Sequence, residues 1–417
     1  MGNGAREDAL SWRLAASPSC EAIFAAPGNA GTATRGQNWD IRATDGKALT
    51  ERALSERIDL AVLGPETAIA AGVGDRLRAA GIATFGPDRS SGRLESSKIF
   101  SKRFMERHQI PTAKAAIVHS LSAARKTLGD WRGSCVIKAD GLAAGKGVVV
   151  AQTAEQARET VEQWYSGNQV PGGGTGVLLE EKLEGRELSV FAIGDGRAFF
   201  PFGSACDYKR AEDGDRGPNT GGMGAYSPPS GFPENFEEEV REKIIAPALR
   251  GLLAEGERYI GVLYCGLMWT QDGPHVIEFN ARFGDPETQV LMPRVTGDFA
   301  ALLKSAADGA LDATAATLSE RACVGIVIAS RDYPRTSTPL SGLPSQLDLP
   351  ESAHAFWSSS NLRDGAVDVT GGRVLTVTAC DDGLDSARER AYETVRAVMQ
   401  QFGRPDELRY RSDIAKR

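Results

Sequence analysis

The chain has 417 residues, 41% of them hydrophobic and 25% charged, enough apolar side chain for two or three domains with buried cores. Its net charge of -7 offers no basic field for nucleic acid, and no run of charge suggests a membrane surface. No apolar stretch approaches a bilayer span, the N-terminal residues lack a signal-peptide pattern, and the six cysteines are widely spaced with no C-x-x-C, so buried free thiols in a reducing cytoplasm are expected.

Over residues 2–93 short apolar runs end at Gly or Pro: 22–26 before Pro27-Gly28, 60–63 before Gly64-Pro65, and 82–85 before Gly86-Pro87. Helical patterns at 48–57 and 68–80 lie between them, and the alternation predicts a doubly wound parallel sheet with ligand loops at the carboxyl ends of its strands. Gly28-Asn29-Ala30-Gly31-Thr32 sits at one such end, where it reads as an anion-binding loop or as a plain turn. Gly4-Ala5-Arg6-Glu7-Asp8 has the form of a strand-to-helix glycine turn, yet only Met1-Gly2-Asn3 precede it. The fold calls for an apolar strand there, so an upstream extension of roughly six to eight residues, a typical strand length, is expected.

Residues 94–108 form an amphipathic helical pattern carrying Lys98, stopped by Pro111. Beyond it, Cys135-Val136-Ile137 and Val148-Val149-Val150 read as a hairpin whose turn holds Gly141, Gly145, Lys146 and Gly147, with Lys138 on the first strand. One fixed and one mobile ammonium around a glycine turn suits nucleotide phosphates; a plain exposed hairpin is the alternative, and the spacing is not that of a Walker P-loop. Strands are expected at 177–183 and 188–193, followed by a long polar loop from Cys206 to Pro229 that contains Asn219-Thr220-Gly221-Gly222-Met223-Gly224. A loop so long is functional or disordered, and glycines interleaved with chemically specific residues favour function.

A helix around 236–255 precedes strands at 262–270 and 275–280, joined at Asp272-Gly273. Glu278 and Asn280 alternate with apolar residues, so both face one side of the strand and can offer oxygens to one hard cation. Arg282 continues that row if the strand runs on, beside metal-bound phosphates; a half-buried strand with one polar face is the bland alternative. From 322 onward come strands at 324–329 and 374–378 and a helix near 387–402, with no chemical cluster, and the four histidines fall outside every cluster.

Residues 27–32, the lysine hairpin, residues 209–226 and residues 278–287 together resemble the phosphoribosylamine–glycine ligase family of ATP-grasp enzymes over nearly the whole chain. The resemblance implies an α/β and α+β multidomain protein: an N-terminal substrate domain (1–93), an ATP-grasp domain (94–317) with a hairpin lid at about 113–183, and a C-terminal mixed α/β domain (318–417). It implies that Lys98, Lys138 and the lid residue Lys146 meet the ATP phosphates. Glu181 and Leu183 would meet adenine through their backbones, Glu180 would line that pocket, and Glu187 would accept from the ribose hydroxyls.

Glu278 and Asn280 match the ligands of Mg²⁺ or Mn²⁺, while Gly266-Leu267-Met268 on the preceding strand supplies no further carboxylate. Gly28, Asn29, Gly31, Thr32, Asp207, Lys209, Asn219, Thr220, Gly221 and Gly222 would hold glycine or the phosphoribosyl group, and Arg282, Lys138 and Lys146 would serve phosphoryl transfer. The family usually reads Gly-Gly-Arg-Glu-His at its first turn, so Asp8 is a departure. The implied activity is ATP-dependent ligation of glycine to 5-phosphoribosylamine through glycyl phosphate, in purine biosynthesis, by a monomer. An ATP-grasp carboxylase or formate-dependent ligase of the same pathway, or a nucleotide-binding regulator without turnover, would share part of the pattern.

Overall fold

The computed structural model describes residues 1–131, 134–143, 147–167, 170–174 and 176–416. Near the N-terminus the expected parallel pairing takes the form of two parallel pairs, Phe24–Ala25 with Gln37–Asn38 and Ala61–Val62 with Thr84–Phe85. Met1 and Gly2 lie between them: the Met1 ammonium donates to Val62 O at 2.9 Å, and Gly2 N–H donates to Ala26 O at 2.7 Å. The helix expected at 68–80 is two, Glu66–Ala70 and Val73–Ala79, interrupted at Gly72. The helix expected at 94–108 is likewise Arg93–Ser96 and Lys98–Arg107. Ser97 is extended, and its hydroxyl accepts the Phe100 N–H at 3.1 Å, so a serine cap that the apolar periodicity conceals restarts the helix at Lys98.

The lysine hairpin forms as expected, with Cys135–Ala139 antiparallel to Val148–Ala151. Strands Ala115–Val118 and Val177–Glu181 complete a four-stranded sheet. The helices Leu121–Asp130 and Ala154–Ser166, capped by Ser120 and Thr153, bury Leu128, Val161 and Trp164 with Ile137 and Leu179. This hydrophobic cluster is separate from the two that fill the rest of the described molecule, so the four-stranded sheet and its two helices pack as a unit of their own.

The main sheet runs in the order Gly273–Asn280, Ile260–Thr270, Arg186–Asp195, Phe199–Asp207, Gly224–Ser227, Ala322–Ser330, Arg373–Asp381, Ala353–Trp357, with Leu408–Arg409 beside Ala322–Ser330. ATP-grasp strands and C-terminal strands are therefore hydrogen-bonded into one sheet across the pair Gly224–Ser227 and Ala322–Ser330. The long polar loop expected from 206 to 229 is a correction: Arg210–Glu212 and Arg216–Asn219 pair as a hairpin, and Gly224–Ser227 is a sheet strand. Its Gly, Pro and charged residues look like loop composition, and only pairing with distant strands makes the segment extended. All six cysteines are free; Cys20 is half-buried where full burial was expected, and the others are buried. No helix among the described residues is long and apolar enough to cross a membrane.

The N-terminal and C-terminal parts grip one another through Trp357, whose N–H donates to Asp8 Oδ2 at 2.6 Å and whose carbonyl accepts from Asn29 Nδ2 at 2.7 Å. Beside it Trp12 packs on His354 with ring centroids 4.4 Å apart.

Leu179→Ala should destabilise the lid by about 2–5 kcal/mol, the usual cost of a buried Leu truncation. Hydrogen exchange should rise in Cys135–Ala139 and Val177–Glu181 and stay unchanged in Ala322–Ser330; equal acceleration in all three would mean the lid is not an independent unit. Burial, helped by Arg35, pushes His354 from 6.5 down to about 4, so the folded state holds this proton less well than the unfolded chain. Its contribution is present above the unfolded value and is lost as pH falls towards the folded one. His354→Phe should therefore flatten the loss of unfolding midpoint between pH 7 and pH 5, read by thermal melts.

Candidate active site

Lys138 projects from the lid hairpin towards the main sheet, where its Nζ lies 2.5 Å from Glu180 Oε2 and donates to Ile277 O at 2.8 Å. The other Glu180 oxygen is 2.7 Å from Lys102 Nζ, which also donates to Thr112 Oγ1 at 2.7 Å and Ala113 O at 2.8 Å. The register slips where Gly266 opposes Glu278 but Leu267 opposes Val276, leaving Ile277 as the extra residue of a bulge. Two buried ammonium groups share one carboxylate, so the cluster carries one surplus positive charge, which suits a phosphate. Burial lowers the Lys102 pKa, with Glu180 opposing. Glu180, expected to line an adenine pocket, has both its oxygens paired with lysines.

Lys98 opens its helix with Nζ 3.5 Å from Gly141 O at the hairpin turn. Lys146, expected at the turn's tip, lies outside the described residues. At the end of its strand Glu181 donates its N–H to Lys114 O at 3.0 Å and accepts the Lys114 N–H on Oε1 at 2.9 Å. Leu183 follows two residues later, before the Arg186–Asp195 strand that carries Glu187. Glu187 Oε2 accepts from Lys209 Nζ at 2.7 Å, and this lysine is the main reason its carboxyl lies below the ordinary range.

Glu278 has no hydrogen-bond partner among the described residues. Burial alone would raise its pKa, but Lys209, Lys98, Lys138 and Arg282 together outweigh it and hold the group ionised. Asn280 ends the strand, and its Oδ1 accepts from Arg282 Nη2 at 3.2 Å. Arg282 does not extend the strand row as expected. It turns to the N-terminal side, 3.0 Å from Glu95 Oε1 and 3.4 Å from Glu66 Oε2, because two carboxylates there offset its desolvation. One carboxylate and one amide oxygen on a face, with no group of three His, Cys, Asp or Glu among the described residues, fit a hard cation that completes its shell with phosphate oxygens and water.

Lys209 also adjoins a second acidic group. Burial raises Asp207 to about 7, with Lys209, 3.8 Å away, opposing and Glu287 and Glu187 adding to the rise. Glu287 accepts from Tyr264 OH at 2.5 Å and Ser189 Oγ at 3.3 Å. Of these, Glu287 follows the metal strand closely enough to be singled out, whereas Tyr264 sits in an apolar run that gives no sign of a partner. The loop residues expected to hold substrate lie close by: Thr220 N–H and Oγ1 donate to Lys209 O at 2.8 and 2.9 Å, and Gly222 N–H donates to Thr220 Oγ1 at 2.9 Å. Asn219 is exposed opposite Arg210, and Gly221 lies between Thr220 and Gly222.

The loop at Gly28 is drawn inward. Asn29 donates to Asn3 O, Gly4 O and Trp357 O and caps the short helix Ala30–Ala33, and Thr32 Oγ1 donates to Asn38 Oδ1 at 2.7 Å. A Cβ on Gly31 would lie 1.9 Å from Asp8 Oδ2, so the bare backbone there makes room for Asp8, which pairs with Arg35. Among these four residues, any ligand contact falls to backbone groups, since the Asn29 and Thr32 side chains already have partners.

A lysine-bearing antiparallel sheet held against a strand that carries a carboxylate and an amide has the arrangement of an ATP-grasp protein, and comparison with known sequences and structures makes the assignment specific. Phosphoribosylglycinamide synthetase family models match as N domain over residues 1–95, ATP-grasp (A) domain over 96–288 and C domain over 323–417. The phosphoribosylamine–glycine ligase of Escherichia coli strain K12 is 44% identical over 399 residues, covering 94% of this chain and 92% of that protein. That of Neisseria meningitidis serogroup A is 42% identical over 420 residues, covering 100% and 97%. The crystal structure of the Thermotoga maritima phosphoribosylamine–glycine ligase superposes with a TM-score of 0.84 at 31% identity, covering 99% and 98%. A biotin carboxylase domain from Hydrogenobacter thermophilus, at 14% identity and a TM-score of 0.73 over 95% and 88%, shares the fold alone. The chain belongs to the phosphoribosylamine–glycine ligase family, and its activity is the ATP-dependent ligation of glycine to 5-phosphoribosylamine in purine biosynthesis.

Glu180→Gln should lower stability by about 3–5 kcal/mol, because it leaves two buried ammonium groups without a counter-charge. Urea unfolding measures this, and a change below about 1 kcal/mol would show that water, not Glu180, compensates the lysines.

Proposed function

We propose that the reaction runs through glycyl phosphate, with the residues described above in definite roles. Transfer of the γ-phosphoryl group to a glycine carboxylate oxygen breaks the bond to ADP. The 1-amino group of phosphoribosylamine then attacks the acyl carbon, and phosphate leaves as the amide forms. Lys138, Lys98 and Lys146 neutralise the phosphates, Glu187 accepts from the ribose hydroxyls, and the backbones of Glu181 and Leu183 meet adenine. Glu278 and Asn280 would hold Mg²⁺, with Mn²⁺ a second candidate, and the ion when bound spreads the charge of the transferring group. Asp207 and Glu287 face the glycine ammonium, and Asp207, raised to about 7, is suited to take the proton released by the attacking amine. Asn219, Thr220, Gly221, Gly222 and the backbone at Gly28, Asn29, Gly31 and Thr32 border the two substrates. Lid closure keeps water from the mixed anhydride.

The observation that carries this reading is the Glu278 carboxylate, without a hydrogen-bond partner among the described residues, on the residue next to Ile277, whose carbonyl accepts from Lys138 at 2.8 Å; the charges of Lys209, Lys98, Lys138 and Arg282 help keep it ionised. With glycine labelled by oxygen-18 in its carboxylate, the released phosphate should carry one label; unlabelled phosphate would remove the intermediate. Glu278→Gln should reduce turnover on the order of a hundredfold and raise the Mg²⁺ requirement, since it removes one charge while keeping the shape. Activity within about twofold of the parent at limiting Mg²⁺ would move the metal elsewhere.

A further inference from the structure

In the C-terminal part, Arg373 opens the strand Arg373–Asp381 and reaches across to residues of the ATP-grasp site. Its guanidinium grips Asp285 with both forks, Nη1 to Oδ1 at 3.1 Å and Nη2 to Oδ2 at 2.9 Å, and Nη1 also donates to Gly221 O at 2.7 Å. The other backbone group of Gly221 is held as well, its N–H donating to Tyr333 OH at 2.9 Å. Tyr333 is itself wedged against the chain beside Arg373, since a Cβ on Gly372 would lie 2.2 Å from its ring. One residue on, Gly222 takes φ +104, and a Cβ there would lie 2.3 Å from Pro286 Cδ, so the loop is pressed onto the segment that follows the metal strand. Gln289 Nε2 donates to Asp285 Oδ1 at 2.7 Å, fixing that carboxylate from the other side.

We infer that Arg373 is a positioning residue: it locks the loop 219–224 against Asp285, and so sets affinity for glycine and phosphoribosylamine without touching ATP. The inference rests on the reading that this loop borders those substrates. The planar fork is essential, because one guanidinium must satisfy a carboxylate and a carbonyl in fixed directions, which a lysine ammonium cannot do in the same geometry. Displacing a substrate-bearing loop by an ångström typically costs on the order of a hundredfold in rate, whereas Lys98 stands on its own helix and Lys138 on the hairpin strand, neither bonded to this loop.

The test uses the full chain with Arg373→Met, Arg373→Lys and the milder Tyr333→Phe, which loses only a hydroxyl. Expected for Arg373→Met are faster amide exchange in peptides spanning 216–226 and a KM for glycine or phosphoribosylamine raised about tenfold or more, with KM for ATP within about twofold. Arg373→Lys should recover only part of the loss, and Tyr333→Phe should give a smaller KM increase in the same direction. Unchanged loop exchange in Arg373→Met would overturn the positioning role. Faster exchange with unchanged KM for both substrates would show that the loop does not meet them, and would remove the substrate reading on which the inference stands. A parallel rise in KM for ATP would also overturn it, as general damage would then explain the effect.

Discussion

The buried contact between the lid and the main sheet, Lys102–Glu180–Lys138 with Ile277 O, is the interaction on which the site depends. Two ammonium groups are withdrawn from water and offset by one carboxylate, an arrangement that hydrophobic packing alone would not favour. What makes it tenable is the set of neutral oxygens around it: Thr112 Oγ1, Ala113 O and the bulge carbonyl of Ile277. Because Ile277 adjoins Glu278, the bond that satisfies Lys138 also ties its hairpin to the strand that carries Glu278 and Asn280. The lysine and the two oxygen-bearing side chains are thus positioned by one junction.

The remaining geometry follows from how the C-terminal strands join the main sheet. Trp357 offers its N–H and carbonyl to Asp8 and Asn29 of the N-terminal part, while Gly221 has its N–H and carbonyl held by Tyr333 and Arg373 of the C-terminal part. Each contact fixes a backbone in two directions at once, so neither loop can slide without breaking a polar bond to the opposite part of the chain. The four-stranded sheet has its own apolar cluster, and its ties to the rest run through polar bonds such as Ser97 Oγ and Ile99 N–H to Asp140 Oδ1 and Lys138 to Ile277 O.

Legibility of the site in the sequence followed the range of the interaction. The placement of Lys138, Glu278 and Asn280 on strands, the last two on one face, was readable because a strand's period of two fixes which face a side chain takes, whatever lies opposite. Lys98 was readable as a residue but not as a helix start, since Ser97 acts through one hydroxyl bond that the apolar pattern hides. Arg282 was read as the next step of a strand that in fact ends at Asn280, so its pairing with Glu95 and Glu66 could not be foreseen. The segment after Cys206 was read as loop because its composition is that of a loop, and its extended form comes from pairing with strands far along the chain.

By itself the sequence determined the hairpin, the alternation of Glu278 and Asn280 on one strand, the α/β composition and, through runs of specific residues, the family. Those features rest on local period, turn chemistry and residue type, which act over a few neighbours. Tertiary structure alone decided the counter-ion of the phosphate lysines, the direction of Arg282, the buried Asp207 and Glu287 pair, and the clasp of Arg373 on Asp285, 88 residues away in sequence. The physical reason is that a buried charge is compensated by whichever group the fold brings near, and that choice is made by the packing of whole elements, not by any window of the chain.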